Sequence, residues 1–233
     1  MTRKQQYLCG IKSGVPVIFG FIPVGIAYGI MAEQAGLLAG ETVAMSVFVF
    51  AGASQMMAVG MYGQGAGLAS MILAALILNL RHLIMSTCVM NRMKPCGTGF
   101  KLLAAFGVTD ESFALFTTEQ ESRATPWYFL GLITVTYTSW VTGSFLGAIA
   151  ATLLPSILSA SLGIALYAMF IGLMIPGVKQ NLRLGLLVVL TAVVNSALSQ
   201  VIPFSWALIL STLLCAGVGV FFVNLDEEEV EEG

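Results

Sequence analysis

Long apolar runs separated by short polar loops organise the chain. The runs fall at 13–36, 42–63, 66–90, 102–118, 127–153, 157–178, 183–202 and 204–223. A helix needs about 20 predominantly apolar residues to cross a hydrocarbon core of ~30 Å. The pattern predicts an all-α polytopic membrane protein with about eight transmembrane segments. The fourth run is short and carries charges. It reads either as a crossing or as a helix capped by its own polar residues, with Thr109 or Asp110 at the N-cap. Only Pro203 divides the last two runs, so it marks a tight turn in a C-terminal hairpin or a kink in one long helix.

The first run reads SGVPVIFGFIPVGIAYGIMAEQAGL. Pro16 and Pro23 remove backbone donors, and Gly14, Gly20, Gly25 and Gly29 loosen the helix. The expectation is a discontinuous first helix, with Pro23 and Gly25 at a substrate site. The alternative is a kinked helix whose glycines serve close packing. A faint internal repeat pairs 10–95 with 100–182, three helices each, and an odd helix count would invert the second copy. Residues 1–223 then form a single transmembrane domain, and 224–233 an acidic tail.

Composition agrees. Of 233 residues, 58% are hydrophobic and 9% charged, whereas soluble domains carry roughly 25% charged residues. Six acids crowd the tail, from Asp226 to Glu232, as a solvated segment. No basic stripe supports nucleic-acid binding. Cys9, Cys88, Cys96 and Cys215 form no C-x-x-C pair or zinc spacing, so neither metal nor disulfide is expected. The basic start, Arg3, Lys4 and Lys12, precedes a long apolar run and is read as retained. If all eight runs cross from a cytoplasmic N-terminus, Arg3, Lys4, Lys12, Arg123, Lys179 and Arg183 lie inside, and Arg92, Lys94 and Lys101 outside. A re-entrant first or second segment would bring 91–101 inside.

An ionisable group at the bilayer centre costs about 2.5–3.5 kcal/mol on insertion scales, so each needs a partner or water. Three clusters fall within apolar runs. Asn79, Arg81 and His82 lie in ILNLRHLIMST. His82, the only histidine, can relay a proton, and Arg81 can hold a carboxylate; the plainer reading is snorkelling and a packing bond. Thr109, Asp110, Glu111 and Ser112 lie in FGVTDESFALF. Adjacent helical positions diverge by about 100°, so one acid pairs with Arg81 and the other lines a cavity. Ser54 and Gln55 lie in AGASQMMA, where small neighbours admit a ligand or another helix. Ser139 with Trp140, Asn195 with Ser196, and Gln200 read as interhelical bonds or interface anchors. Hydrolase triads, H-E-x-x-H and phosphate loops are all missing from the sequence, and no enzyme or cofactor is expected.

Four motifs in order carry a family resemblance: Gly14–Pro16 through Pro23–Gly29, Ala51–Gln55, Asn79–His82, and Thr109–Phe113. Together they resemble the AzlC family of branched-chain amino acid exporters over roughly residues 10–180. The resemblance implies the large subunit of a two-component permease in a bacterial inner membrane, working with a small AzlD-type membrane subunit. It implies export of valine, leucine and isoleucine, in some members methionine, driven by the proton-motive force. The alternatives are a non-transporting assembly subunit or a small-solute channel.

Overall fold

The computed structural model describes residues 1–93, 95–151 and 181–222, with 171, 174, 175, 178 and 179 between them. The described residues form helices and turns without strands. In chain order the helices are α1 (Arg3–Gln34), α2 (Ala39–Phe48), α3 (Gly52–Gly63), α4 (Leu68–Arg92), α5 (Thr98–Phe106), α6 (Asp110–Thr118), α7 (Pro126–Ala150), α8 (Leu182–Leu198) and α9 (Phe204–Phe222). Three of them, α1, α4 and α7, are long and apolar enough to cross a membrane. This makes the chain a multi-pass membrane protein.

Two compact units divide the chain: 1–65 with 75–165, and 66–74 with 166–233. In the second, α8 and α9 form an antiparallel hairpin. Ser211 Oγ lies 3.3 Å from Asn195 Oδ1, and Gly219 faces Leu187. Pro203 sits in the turn between them, which decides for a hairpin over a kinked helix. The segment expected at 157–178 and the tail 224–233 fall outside the described residues, apart from the few positions named above.

The first unit is built on α1 and α7. Thr2 and Gln5 exchange capping bonds at the start of α1, and Thr125 caps α7 ahead of Pro126. The two helices run parallel at a constant offset: Gly10 meets Tyr128, Gly14 meets Leu132, Gly25 meets Gly143 and Gly29 meets Ala148. Glycine on both sides lets the backbones approach. A Cβ on Gly25 would lie 3.0 Å from Gly143 Cα.

This packing corrects the expectation of a discontinuous first helix. α1 runs unbroken through Pro16 and Pro23. Each proline frees only the carbonyl four residues before it, a defect that membrane helices tolerate. The breaks fall elsewhere. Segment 42–63 is split into α2 and α3 at 49–51, and segment 102–118 into α5 and α6 at 107–109.

Both pairs turn back rather than run through. Tyr28 Oη donates to Thr42 O near the C-terminal end of α1, and α2 then descends along α7, with Ser46 beside Ser144 and Val47 reached by Tyr137. From the break, α3 climbs past Trp140 to Gly63, which lies against Ala35 beyond the end of α1. α5 and α6 do the same from the other end. Phe106 at the break reaches Tyr137. α6 then returns to place Phe116 on Tyr128 and Phe129 near the start of α7. Arg92, ending α4, donates to Glu119 O just past α6. A core of Met85, Val89, Val108, Phe116, Tyr128 and Phe129, among others, fixes that end.

Candidate functional site

The first break is made by Phe50, whose φ of 44° lies in the left-handed region that non-glycine residues seldom adopt. Past it, α3 starts at Gly52 with Ala51 as N-cap and no side-chain cap, leaving the first-turn amides of Gly52, Ala53 and Ser54 outside the helical ladder. A buried polar network secures this turn. Gln55 Oε1 accepts from Trp140 Nε1 at 3.1 Å and from Ala51 N at 3.2 Å. Its Nε2 donates to Ser46 Oγ at 3.0 Å, and Ser46 Oγ donates to Ser144 Oγ at 2.7 Å. Gly52 faces the Trp140 ring so closely that a Cβ would lie 2.7 Å from it.

Asn79 of α4 joins this network from the side. Its Nδ2 donates to Ser54 Oγ at 3.1 Å, and Ser54 Oγ donates to Ala51 O at 2.9 Å. Two residues on, Arg81 Nη1 lies 3.0 Å from Asp110 Oδ2. These side chains are 42% and 45% exposed, so the pair is open on one side. Two further polar atoms, Asn79 Oδ1 and His82 Nδ1, are buried with no hydrogen-bond partner among the described residues.

The second break supplies Asp110. Thr109 is the N-cap of α6: its hydroxyl accepts from Ser112 N at 3.2 Å, and Ser112 Oγ accepts from Thr109 N at 2.8 Å. Asp110 and Glu111 occupy the first turn, where the helix dipole favours acids. The cap and the ion pair therefore coexist.

The candidate residues separate into four groups. Ser54 and Asn79 meet across the first break, and Arg81 and Asp110 meet at the second, with Thr109, Glu111 and His82 beside that pair in sequence. Gln55 bonds Ala51, Ser46 and Trp140, and so links α3 to α2 and α7. Pro23 is exposed on α1, and Gly25 is buried against Gly143 of α7 in the α1–α7 packing. Sequence reasoning missed Ser46, Ser144 and Phe50. Ser144 stands within the small-polar stretch SWVTGSFLG, which was a usable signal. Phe50 offered none, because nothing in its residue type marks a left-handed turn.

The family described as AzlC protein matches residues 16–154. A protein of Archaeoglobus fulgidus named as an uncharacterized membrane protein is 31% identical over 77% of this chain and 79% of its own length. The inner membrane protein YgaZ of Escherichia coli is 28% identical over 90% of this chain and 87% of its own. The branched-chain amino acid transport protein AzlC of Bacillus subtilis is 28% identical over 64% of this chain and 61% of its own. No solved structure matches.

Proposed function

We propose, from the premise that this chain belongs to the AzlC family, that it is the large subunit of a secondary exporter of branched-chain amino acids. Family membership and the B. subtilis relative support a membrane transport role. Export, proton coupling, an inner-membrane location and a small AzlD-type partner subunit are further parts of this proposal. The inverted repeat of 10–95 and 100–182 belongs to it too, and the opposite senses of the two turned-back helix pairs support inversion.

One observation carries the reading: the half-open Arg81–Asp110 pair at 3.0 Å. An α-amino acid is itself an ion pair. Its carboxylate can take the place of Asp110 on Arg81, as a guanidinium holds carboxylates bidentately. Its ammonium then takes the place of Arg81 on Asp110. The exchange leaves no charge unpaired at membrane depth, where each unpaired charge costs about 2.5–3.5 kcal/mol. The uncapped amides of α3 offer a second place for the carboxylate. His82 and Glu111, near this pair, are the proposed proton carriers. An aliphatic side chain contributes only about 1–3 kcal/mol of discrimination per methylene, so valine, leucine, isoleucine and methionine are all expected substrates.

Charge placement supports the orientation. Neither 13–80 nor 124–178 contains a Lys or Arg. With both broken pairs turning back, Arg3, Lys4, Lys12, Arg92, Lys101 and Arg123 gather at the end where α1 and α7 begin, which is then cytoplasmic. The test is efflux of labelled valine from proteoliposomes holding the full chain and its small subunit. Parent protein moves valine, while Arg81→Ala and Asp110→Asn fall to background with assembly intact. Normal efflux by both variants refutes the site, and no efflux by the parent under any gradient refutes transport.

A further inference from the structure

The two breaks meet. Phe50, at the turn of α2 into α3, and Phe106, last residue before the turn of α5 into α6, both pack on Tyr137 midway along α7. Ring centroids lie 5.1 Å apart for Phe50 and Tyr137, 6.0 Å for Phe106 and Tyr137, and 6.1 Å for Phe50 and Phe106. Tyr137 also donates to Val47 O at 3.0 Å, satisfying a carbonyl in the last turn of α2. The left-handed φ of Phe50 is what turns the chain at this depth.

We infer that α2–α3 and α5–α6 are re-entrant hairpins entering the membrane from opposite faces, and that Phe50, Phe106 and Tyr137 form the apolar septum where their tips close the pathway. The inference rests on the transport reading for its purpose but not for its geometry. Non-helical backbone at membrane depth survives only against protein or a water-filled cavity. Each break has polar groups behind it. The Ser54, Gln55 and Asn79 network backs the first, and the Arg81–Asp110 pair with the α6 cap backs the second. The aromatic triad lies between the two hairpin tips. A cavity of about 330 Å³ opens at its flank, lined by Phe106, Gly107, Ile133 and Tyr137 among others. Passage requires one tip to withdraw from the other, and the non-covalent ring contacts permit that.

Two experiments test this on the full chain. In a background with the four native cysteines replaced by alanine, Gly40→Cys and Gln64→Cys flank the first hairpin, and Gly97→Cys and Gln120→Cys flank the second. A membrane-impermeant maleimide should label the first pair from one face of sealed vesicles and the second pair from the other. Labelling of either pair from both faces, one member each, makes that segment a crossing and overturns the inference. Second, Phe50→Ala and Phe106→Ala vesicles should lose their tightness to erythritol, a small polar non-substrate. Parent vesicles and Phe129→Ala vesicles, altered in the buried core away from the triad, stay tight. Vesicles of correctly labelled Phe50→Ala and Phe106→Ala proteins that remain as tight as the parent overturn the septum. Neither readout needs valine movement, so a parent that carries no valine refutes transport and leaves this result standing.

Discussion

Replacing Gln55 with leucine tests whether that residue links helices or touches substrate. Leucine has a similar volume, so the substitution removes bonds without opening a large cavity. Three bonds go: the acceptor for Trp140 Nε1, the acceptor for Ala51 N, and the donor to Ser46 Oγ. In a water-soluble core, each stranded donor would cost about 1–3 kcal/mol. Side-chain bonds between membrane helices average only ~0.6 kcal/mol, because the unfolded chain in the membrane also finds partners. Ser46 keeps its bond to Ser144, so it is not stranded. Three bonds at ~0.6 kcal/mol each give about 2 kcal/mol of lost stability. The assay is unfolding of the full chain by SDS titration in mixed micelles, run as a double-mutant cycle with Trp140→Phe. The two changes should couple, since they share a bond, and valine affinity in the folded fraction should be unchanged. A stability loss under ~0.5 kcal/mol, or lost valine affinity at unchanged stability, would refute the link.

Other outcomes follow from the packing. Gly29→Ala places a Cβ 2.5 Å from Ala148 N and Ser144 O, both backbone atoms; by the same unfolding assay it should cost about 1–3 kcal/mol, as overpacking does. Gly20→Ala meets nothing within 4 Å and should leave stability unchanged. Thr125→Ala removes the α7 cap from Tyr128 N and should cost about 1 kcal/mol. Arg81→Asp alone and Asp110→Arg alone should each lower the yield of folded protein, read by size-exclusion chromatography. The double reversal should restore the yield, because it restores the pair.

Membrane residence was legible because lipid removes the need for a charged surface, and composition records that directly. The three long helices were legible for the same reason. Partial legibility held at Thr109–Ser112. The T-D-E-S pattern announces a helix start inside an apolar run, and that start is the second break. The first break was hidden, since Phe50 adopts a conformation usually left to glycine. The prolines misled in the opposite direction. Pro16 and Pro23 weaken α1 locally, but the helix runs on through both, and glycine-to-glycine packing along α7 supports it. A local signal lost to a tertiary contact that no window of sequence contains. Of the candidate residues, the charges stand out by their cost in lipid, which makes an acid partner for Arg81 one reading of the sequence, and the structure puts Asp110 there. Gln55 looked equally available, yet its partners Ser46 and Trp140 lie on separate elements.

An amino-acid head group that replaces both halves of the Arg81–Asp110 pair needs both of its own charges. Competition against labelled valine efflux tests it, using valinamide, which lacks the carboxylate, and isovalerate, which lacks the ammonium. Unlabelled leucine should compete in the parent, and neither single-charge analogue should. Asp110→Asn, which moves no valine, should bind labelled isovalerate where the parent does not, because Arg81 is then free to hold a lone carboxylate. Equal competition by valinamide and leucine in the parent would mean that Arg81 does not hold the substrate carboxylate.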